Sequence, residues 1–194
     1  MLFDISGNAA EGKKVNNIRF RNIDFRYTDG GYYVEDYWKK RLEKGDFGTD
    51  GETRASDPQA AEGAPGTIRF LGAHGCFVEN CSIQNYGHHA IAIEEGCDNI
   101  HIRGNRIYDG GAGGIIVNGS DNNGEICQRT YGNEISDNEI SFCGRKYFAG
   151  CGILVPDITA AGRFTRMKDP VILQLKIIFV MQPLRIYFIS IMAL

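Results

Sequence analysis

Acidic, histidine and arginine side chains gather in three short stretches of this 194-residue chain, GHHAIAIEEGCD, YDGGAGG and GRKYF. Asp109 opens a six-residue run whose other members are Gly or Ala. Its carboxylate is expected to stand unobstructed, with room for a ligand to approach the backbone. Glu94 and Glu95 are adjacent acids. One of two adjacent acids is expected to be able to serve as a general acid. His88 and His89 can donate to a hydroxyl or a carboxylate. Arg145 can fork onto carboxylates and Tyr147 can lie against a ring. These types assign Asp109, Glu94 and His89 to catalysis. They assign His88, Glu95, Asn118, Arg145, Tyr147 and Trp38 to substrate binding, with Asp157 near the same face. No metal or cofactor is assigned. The alternative is that Glu94 and Glu95, with Asp98, hold a Ca²⁺ ion. Plainer roles exist for each: an Asp bonding turn amides, a solvated Glu pair, a stacked structural His. His74 and His101 are read as turn and outward-strand residues without a role. No Ser/His/Asp set, P-loop or dinucleotide motif occurs.

The elements that must hold these groups are written in a pattern that returns four times: NNIRFRNIDF, GCFVENCSI, NIHIRGNRI and NEISDNEI. With anchors at Ile23, Cys81, Asn105 and Asn138, an apolar residue stands two positions later, at Phe25, Ile83, Ile107 and Ile140. Another stands three positions earlier, at Phe20, Val78, Ile102 and Ile135. Short β-branched strands and Gly/Asn turns at such a period mark a solenoid. The same offsets put Ile91 over Ile115 and Ile93 over Val117, with alternate side chains facing in. Stacked Asn105 and Asn138 are expected to hydrogen-bond along one turn and to take left-handed backbone there. The expected divisions are a lead-in over 1–14, a repeat region over 15–160 with an insertion over 27–64, and a tail over 161–194. The insertion carries Tyr32, Tyr33, Tyr37 and Trp38, aromatics able to stack on sugars or to pack the loop down.

A net charge of −3 gives no reason to expect nucleic acid as a partner. Twenty-five Gly and five Pro suit many tight turns. The six cysteines form no CxxC pair, and Cys76 and Cys81 occupy positions filled elsewhere by Ile or Asn. They are expected to be small core residues rather than disulfide partners. The N-terminus shows no basic and apolar leader and reads like the inside of a longer protein. The last 24 residues lack acids and Gly, and Lys176, Gln182, Pro183 and Arg185 interrupt them. A membrane span is therefore not expected. An out-of-frame translation after about Thr165 is the expected origin of that text.

The run GHHAIAIEEGCDNIHIRGNRIYDGGAGGIIVNG, with YGNEISDNEISFCGRKYFAGCGILV, resembles the right-handed parallel β-helix proteins of the pectate-lyase-like superfamily. More narrowly it resembles the bacterial β-helix glycoside hydrolases of family 141. The resemblance implies an all-β, right-handed parallel β-helix of about four coils. It also implies a secreted or periplasmic parent protein and a polysaccharide or oligosaccharide partner bound on the outer face of the sheet carrying Ile91 and Ile115. Neighbouring coils lie about 4.7–4.9 Å apart. Two carboxylates one or two coils apart would suit glycoside hydrolysis, at roughly 5–5.5 Å for retention or 6.5–9.5 Å for inversion. A Ca²⁺-dependent lyase or epimerase and a non-enzymatic adhesive helix are the other readings.

Overall fold

In a computed structural model, residues 1–28, 61, 64–119, 125–148 and 150–155 are described. The insertion aromatics, Trp38 among them, and Asp157 and the tail lie outside the described residues. Fifteen strands run along the described chain, with two single 3₁₀ turns at Ala9–Glu11 and Ile126–Gln128. The strands are β1 (Phe3–Ser6), β2 (Val15–Asn16), β3 (Arg19–Arg21), β4 (Asp24–Thr28), β5 (Gly66–Leu71), β6 (Ala73–His74), β7 (Phe77–Glu79) and β8 (Ser82–Tyr86). There follow β9 (His89–Ile93), β10 (His101–Arg103), β11 (Arg106–Gly110), β12 (Ile115–Val117), β13 (Glu134–Ser136), β14 (Glu139–Ser141) and β15 (Ile153–Leu154).

Every strand pairing is parallel, and consecutive strands go to different sheets. One sheet has the order β1-β5-β9-β12-β15, a second β13-β10-β7-β3, a third β14-β11-β8-β4, and β2 pairs with β6. None of these sheets closes on itself. The chain is thus an all-β protein of open parallel sheets. Parallel partners cannot be joined by a tight hairpin, so the chain must travel through the other sheets before it returns beside itself.

The register makes the core. Phe20, Val78, Ile102 and Ile135 align in one row, and Phe25, Ile83, Ile107 and Ile140 in another. Ile68, Ile91, Ile115 and Ile153 form a third, and Phe70, Ile93 and Val117 a fourth. Most of these side chains are buried in a single cluster. Phe3, Phe20 and Phe25 close its first end, with ring centroids 4.9 and 5.9 Å apart. Full burial of an aliphatic side chain stabilises by about 1.5–3 kcal/mol, so these rows dominate the fold.

Two details differ from the sequence reading. The lead-in over 1–14 contains β1, which pairs with β5 from Phe3↔Ile68 to Ser6↔Leu71. The anchors lie just before their strands. Left-handed backbone falls one residue earlier still, at Asn22, Asn80, Gly104 and Asp137. The anchor asparagines are instead the buried hydrogen-bonding rungs. Asn105 Nδ2 donates to Val78 O (2.8 Å), and Asn105 Oδ1 accepts from Cys81 N (2.9 Å). Asn138 Oδ1 accepts from both Asn105 N and Asn105 Nδ2, each at 2.9 Å. Asn133 repeats the device with Ile100 N and Cys97 O.

All six cysteines are free thiols, and Cys76, Cys81 and Cys97 are buried. Burial pushes Cys97 and Cys143 up to about 11, so neither is a ready thiolate.

Candidate functional site

Asp109 stands near the end of β11 with left-handed backbone, φ 58°. Both of its oxygens are engaged: Asn85 Nδ2 donates to Oδ2 at 2.5 Å, and Arg145 Nε lies 3.2 Å from Oδ1. Its carboxylate is about one-third exposed and the Arg145 side chain more so. Asp109 thus meets solvent beside the predicted binding residue Arg145.

The glycine run that follows has a different purpose from the expected one. Residues 110–114 are all buried. A Cβ on Gly113 would come 2.5 Å from Cys151 O and 2.7 Å from the His89 ring, and one on Gly114 would come 2.5 Å from Gly152 O. Gly110 and Gly111 would collide with the Tyr86 ring and the Gly87 carbonyl. The small residues admit neighbouring backbone, which bonds to them on both sides. Gly111 N donates to Tyr86 O, Ala112 N to His88 O, and Tyr147 N to Gly111 O. The turn is packed, and no ligand approaches its backbone.

His89 is fully buried, with Nε2 2.9 Å from Ala61 O. Nδ1 has no hydrogen-bond partner. Burial lowers its pKa and keeps the ring neutral. It cannot reach a substrate on the outer surface. His88 and Tyr147 are buried too and stack on each other, with ring centroids 5.8 Å apart and an interplanar angle of 24°. This stack seats the 144–148 segment, and with it Arg145, against the turn.

Glu94 lies just past the other end of β9. The five residues of that strand put Glu94 about 15 Å from the edge that carries Asp109. Arg69 clamps it with two bonds, Nε to Oε1 at 2.8 Å and Nη2 to Oε2 at 2.7 Å. Arg69 also reaches Asp4 and Ser6. Glu94 holds its guanidinium charge on, raising the Arg69 pKa. Glu95 is half-buried, and Asn118 is exposed beyond β12.

Asp98 turns elsewhere: Lys14 Nζ donates to Oδ1 and His74 Nδ1 lies beside Oδ2, each at 2.5 Å. Glu94, Glu95 and Asp98 therefore do not converge. Among the described residues no three His, Cys, Asp or Glu side chains gather as a metal would require. Asp109 also faces no second acid along its row, since its neighbours there are Asn85 and Phe142.

Two features escaped the sequence reading. One is the Lys14, Asp98, His74 cluster, whose members lie 24 and 84 residues apart. The other is a row in which Tyr27, Asn85, Asp109 and Phe142 follow one another, all with left-handed backbone. Their common offset of four from each anchor was a usable signal. No family model, curated protein or solved structure matches this chain.

Proposed function

We propose that the chain is a right-handed parallel β-helix of about four coils, part of a carbohydrate-active protein of the glycoside hydrolase kind. In this reading it binds an oligosaccharide or polysaccharide along the edge marked by Asp109 and Arg145. The observation that carries it is the solvent-facing pair itself. A carboxylate and a guanidinium 3.2 Å apart are held from behind by Asn85 and by the His88–Tyr147 stack. A fixed acceptor beside a fixed donor is what recognition of sugar hydroxyls needs, because neither group must be ordered when the ligand arrives.

Hydrolysis through paired carboxylates requires a second acid within about 5–9.5 Å of the first. Along its row none faces Asp109, so in this reading this part contributes binding, and turnover would draw on a group elsewhere. A non-enzymatic, adhesive β-helix is the second reading. It is favoured by the sheet carrying Ile91, where the acids Asp4 and Glu94 are both taken up by Arg69.

The test is to incubate the full chain with arabinoxylan and pectic oligosaccharides while measuring binding and release of reducing sugar. Binding with negligible turnover is expected, and Asp109→Asn should weaken that binding. Cleavage at ordinary enzyme rates would overturn the division between binding and catalysis. Absence of binding to either class would overturn the glycan reading altogether.

A further inference from the structure

We infer that the row formed by Tyr27, Asn85, Asp109 and Phe142 is a binding stripe for an extended glycan that runs along the stacking direction, with the two aromatic rings as platforms at its ends. The inference rests on the glycan reading above and adds the residues, the direction and the length.

Among the described residues, three rows of four left-handed positions run along the stack, besides Ala61 and four further glycines (Gly12, Gly72, Gly96 and Gly144), and in two of these rows the residue types are those that tolerate the conformation. One row has Asn17, Gly75, Asn99 and Gly132, and the other has Asn22, Asn80, Gly104 and Asp137. The third row breaks the habit at both ends. Tyr27 has φ 58° and Phe142 φ 55°. Left-handed backbone costs an L-residue with a bulky side chain about 1–2 kcal/mol, and Asn or Gly would avoid most of it. Burial does not compensate, because Tyr27 is 77% exposed and Phe142 50% exposed. Two strained residues with solvent-facing rings, on one line, point to a ligand rather than to folding.

The chemistry of the line fits a sugar chain. An aromatic face packs on the C–H face of a pyranose while polar neighbours take its hydroxyls. Between the rings lie the Asn85 amide and the Asp109 carboxylate, bonded to each other at 2.5 Å, with Arg145 on the outer side. Register places the four residues on successive strands, since Thr28 pairs with Tyr86, Tyr86 with Gly110, and Tyr108 with Ser141. Tyr27 and Phe142 are therefore three strand spacings apart, about 14 Å. One sugar of an extended glycan advances by close to one such spacing, so the stripe spans about four sugars. The acidic centre and the overall charge of −3 disfavour a polyphosphate backbone on the same line.

The test compares the full chain with Tyr27→Asn, Phe142→Asn and the double variant. Affinity is measured for xylohexaose, for a neutral chain, and for hexagalacturonate, for an acidic one; thermal stability is measured beside it. The double variant should bind at least about tenfold more weakly, as two lost ring contacts imply. Its melting temperature should stay level or rise, because Asn relieves the left-handed strain. Shortening the ligand to the disaccharide should abolish the difference between wild type and variant. If wild type and double variant bind the hexamers equally, the stripe is wrong while the glycan reading stands. If wild type binds neither hexamer, the glycan reading falls and the stripe with it. A fall in melting temperature would show that the rings serve the fold, and would also overturn the stripe.

Discussion

Two polar rows run through this molecule side by side, and their contrast separates structure from function. The inner row, Asn105 and Asn138, is buried, and the oxygen and nitrogen of each amide find backbone partners on the preceding pass. The outer row, Tyr27, Asn85, Asp109 and Phe142, is solvent-facing at its ends, with Asp109 held by Asn85 within the row and by Arg145 beside it. In the inner row the residue types match what the backbone demands. In the outer row two of the four residues conflict with it. A row that obeys local rules is explained by the fold, while a row that breaks them without a packing gain asks for a ligand.

The largest effect is expected in the apolar rows that both polar rows flank. Ile102 is fully buried between Val78 and Ile135. Ile102→Asp places an unpaired carboxylate there and should cost roughly 3–5 kcal/mol. Chemical denaturation monitored by circular dichroism measures it. The inner row comes next. Asn105→Ala strands the Cys81 amide and the Val78 carbonyl without partners in a buried place. The cost should be roughly 2–3 kcal/mol. If Asn105→Ala proved neutral, the inner row would be no more structural than the outer one, and the contrast would fail.

The rows were legible in the sequence because burial dictates alternation, and alternation survives in every copy. Phe20, Val78, Ile102 and Ile135 share one offset from their anchors and do share one row. Strand β1 was not legible, since FDIS carries no anchor of its own and is recognised only by its partner β5. The left-handed position was misplaced by one residue because Asn serves both as buried rung and as turn residue in these repeats. The glycines after Asp109 show a deeper limit. A Gly that opens space for a ligand and a Gly that admits Gly87 or Cys151 are written identically. The clamp on Glu94 was not legible either, as its partner Arg69 lies 25 residues away on another strand.

Acid should separate the buried neutral imidazole from the carboxylate ion pairs in two steps. His89 is buried with its pKa lowered, chiefly by desolvation. Its stability contribution is complete above the unfolded His value, about pH 6.5, and declines as pH falls below that value. Glu79 has its pKa lowered, first by its bond to Arg103. Its contribution persists above the unfolded Glu value, about pH 4.3, and is lost as pH falls through the lower folded value. Melting temperatures from pH 8 to pH 3 should therefore show a decline beginning near pH 6.5 and a steeper one below about pH 4.3. His89→Gln should remove the upper decline and leave the lower. A wild-type profile flat from about pH 7 to 5 would contradict the buried neutral ring.

The smallest stability change should come from the centre of the outer row. Asn85→Gly keeps the left-handed backbone that Asn85 adopts, φ 54°, and removes only the amide that holds Asp109. Gly tolerates that conformation at no steric cost, and the lost bond is half-exposed, so stability should move by about 0.5 kcal/mol or less. Binding should respond more than folding, because Asp109 would keep Arg145 but lose the bond that fixes its other oxygen. A ligand would then have to order the carboxylate itself, at an entropic cost of about 0.5–1.5 kcal/mol, or roughly two- to tenfold in affinity. Thermal melts and oligosaccharide titration on the same protein read both quantities. The expected pattern is the reverse of Asn105→Ala, with folding nearly unchanged and glycan affinity reduced. If Asn85→Gly destabilised the protein as much as Asn105→Ala does, the outer row would be a second structural ladder.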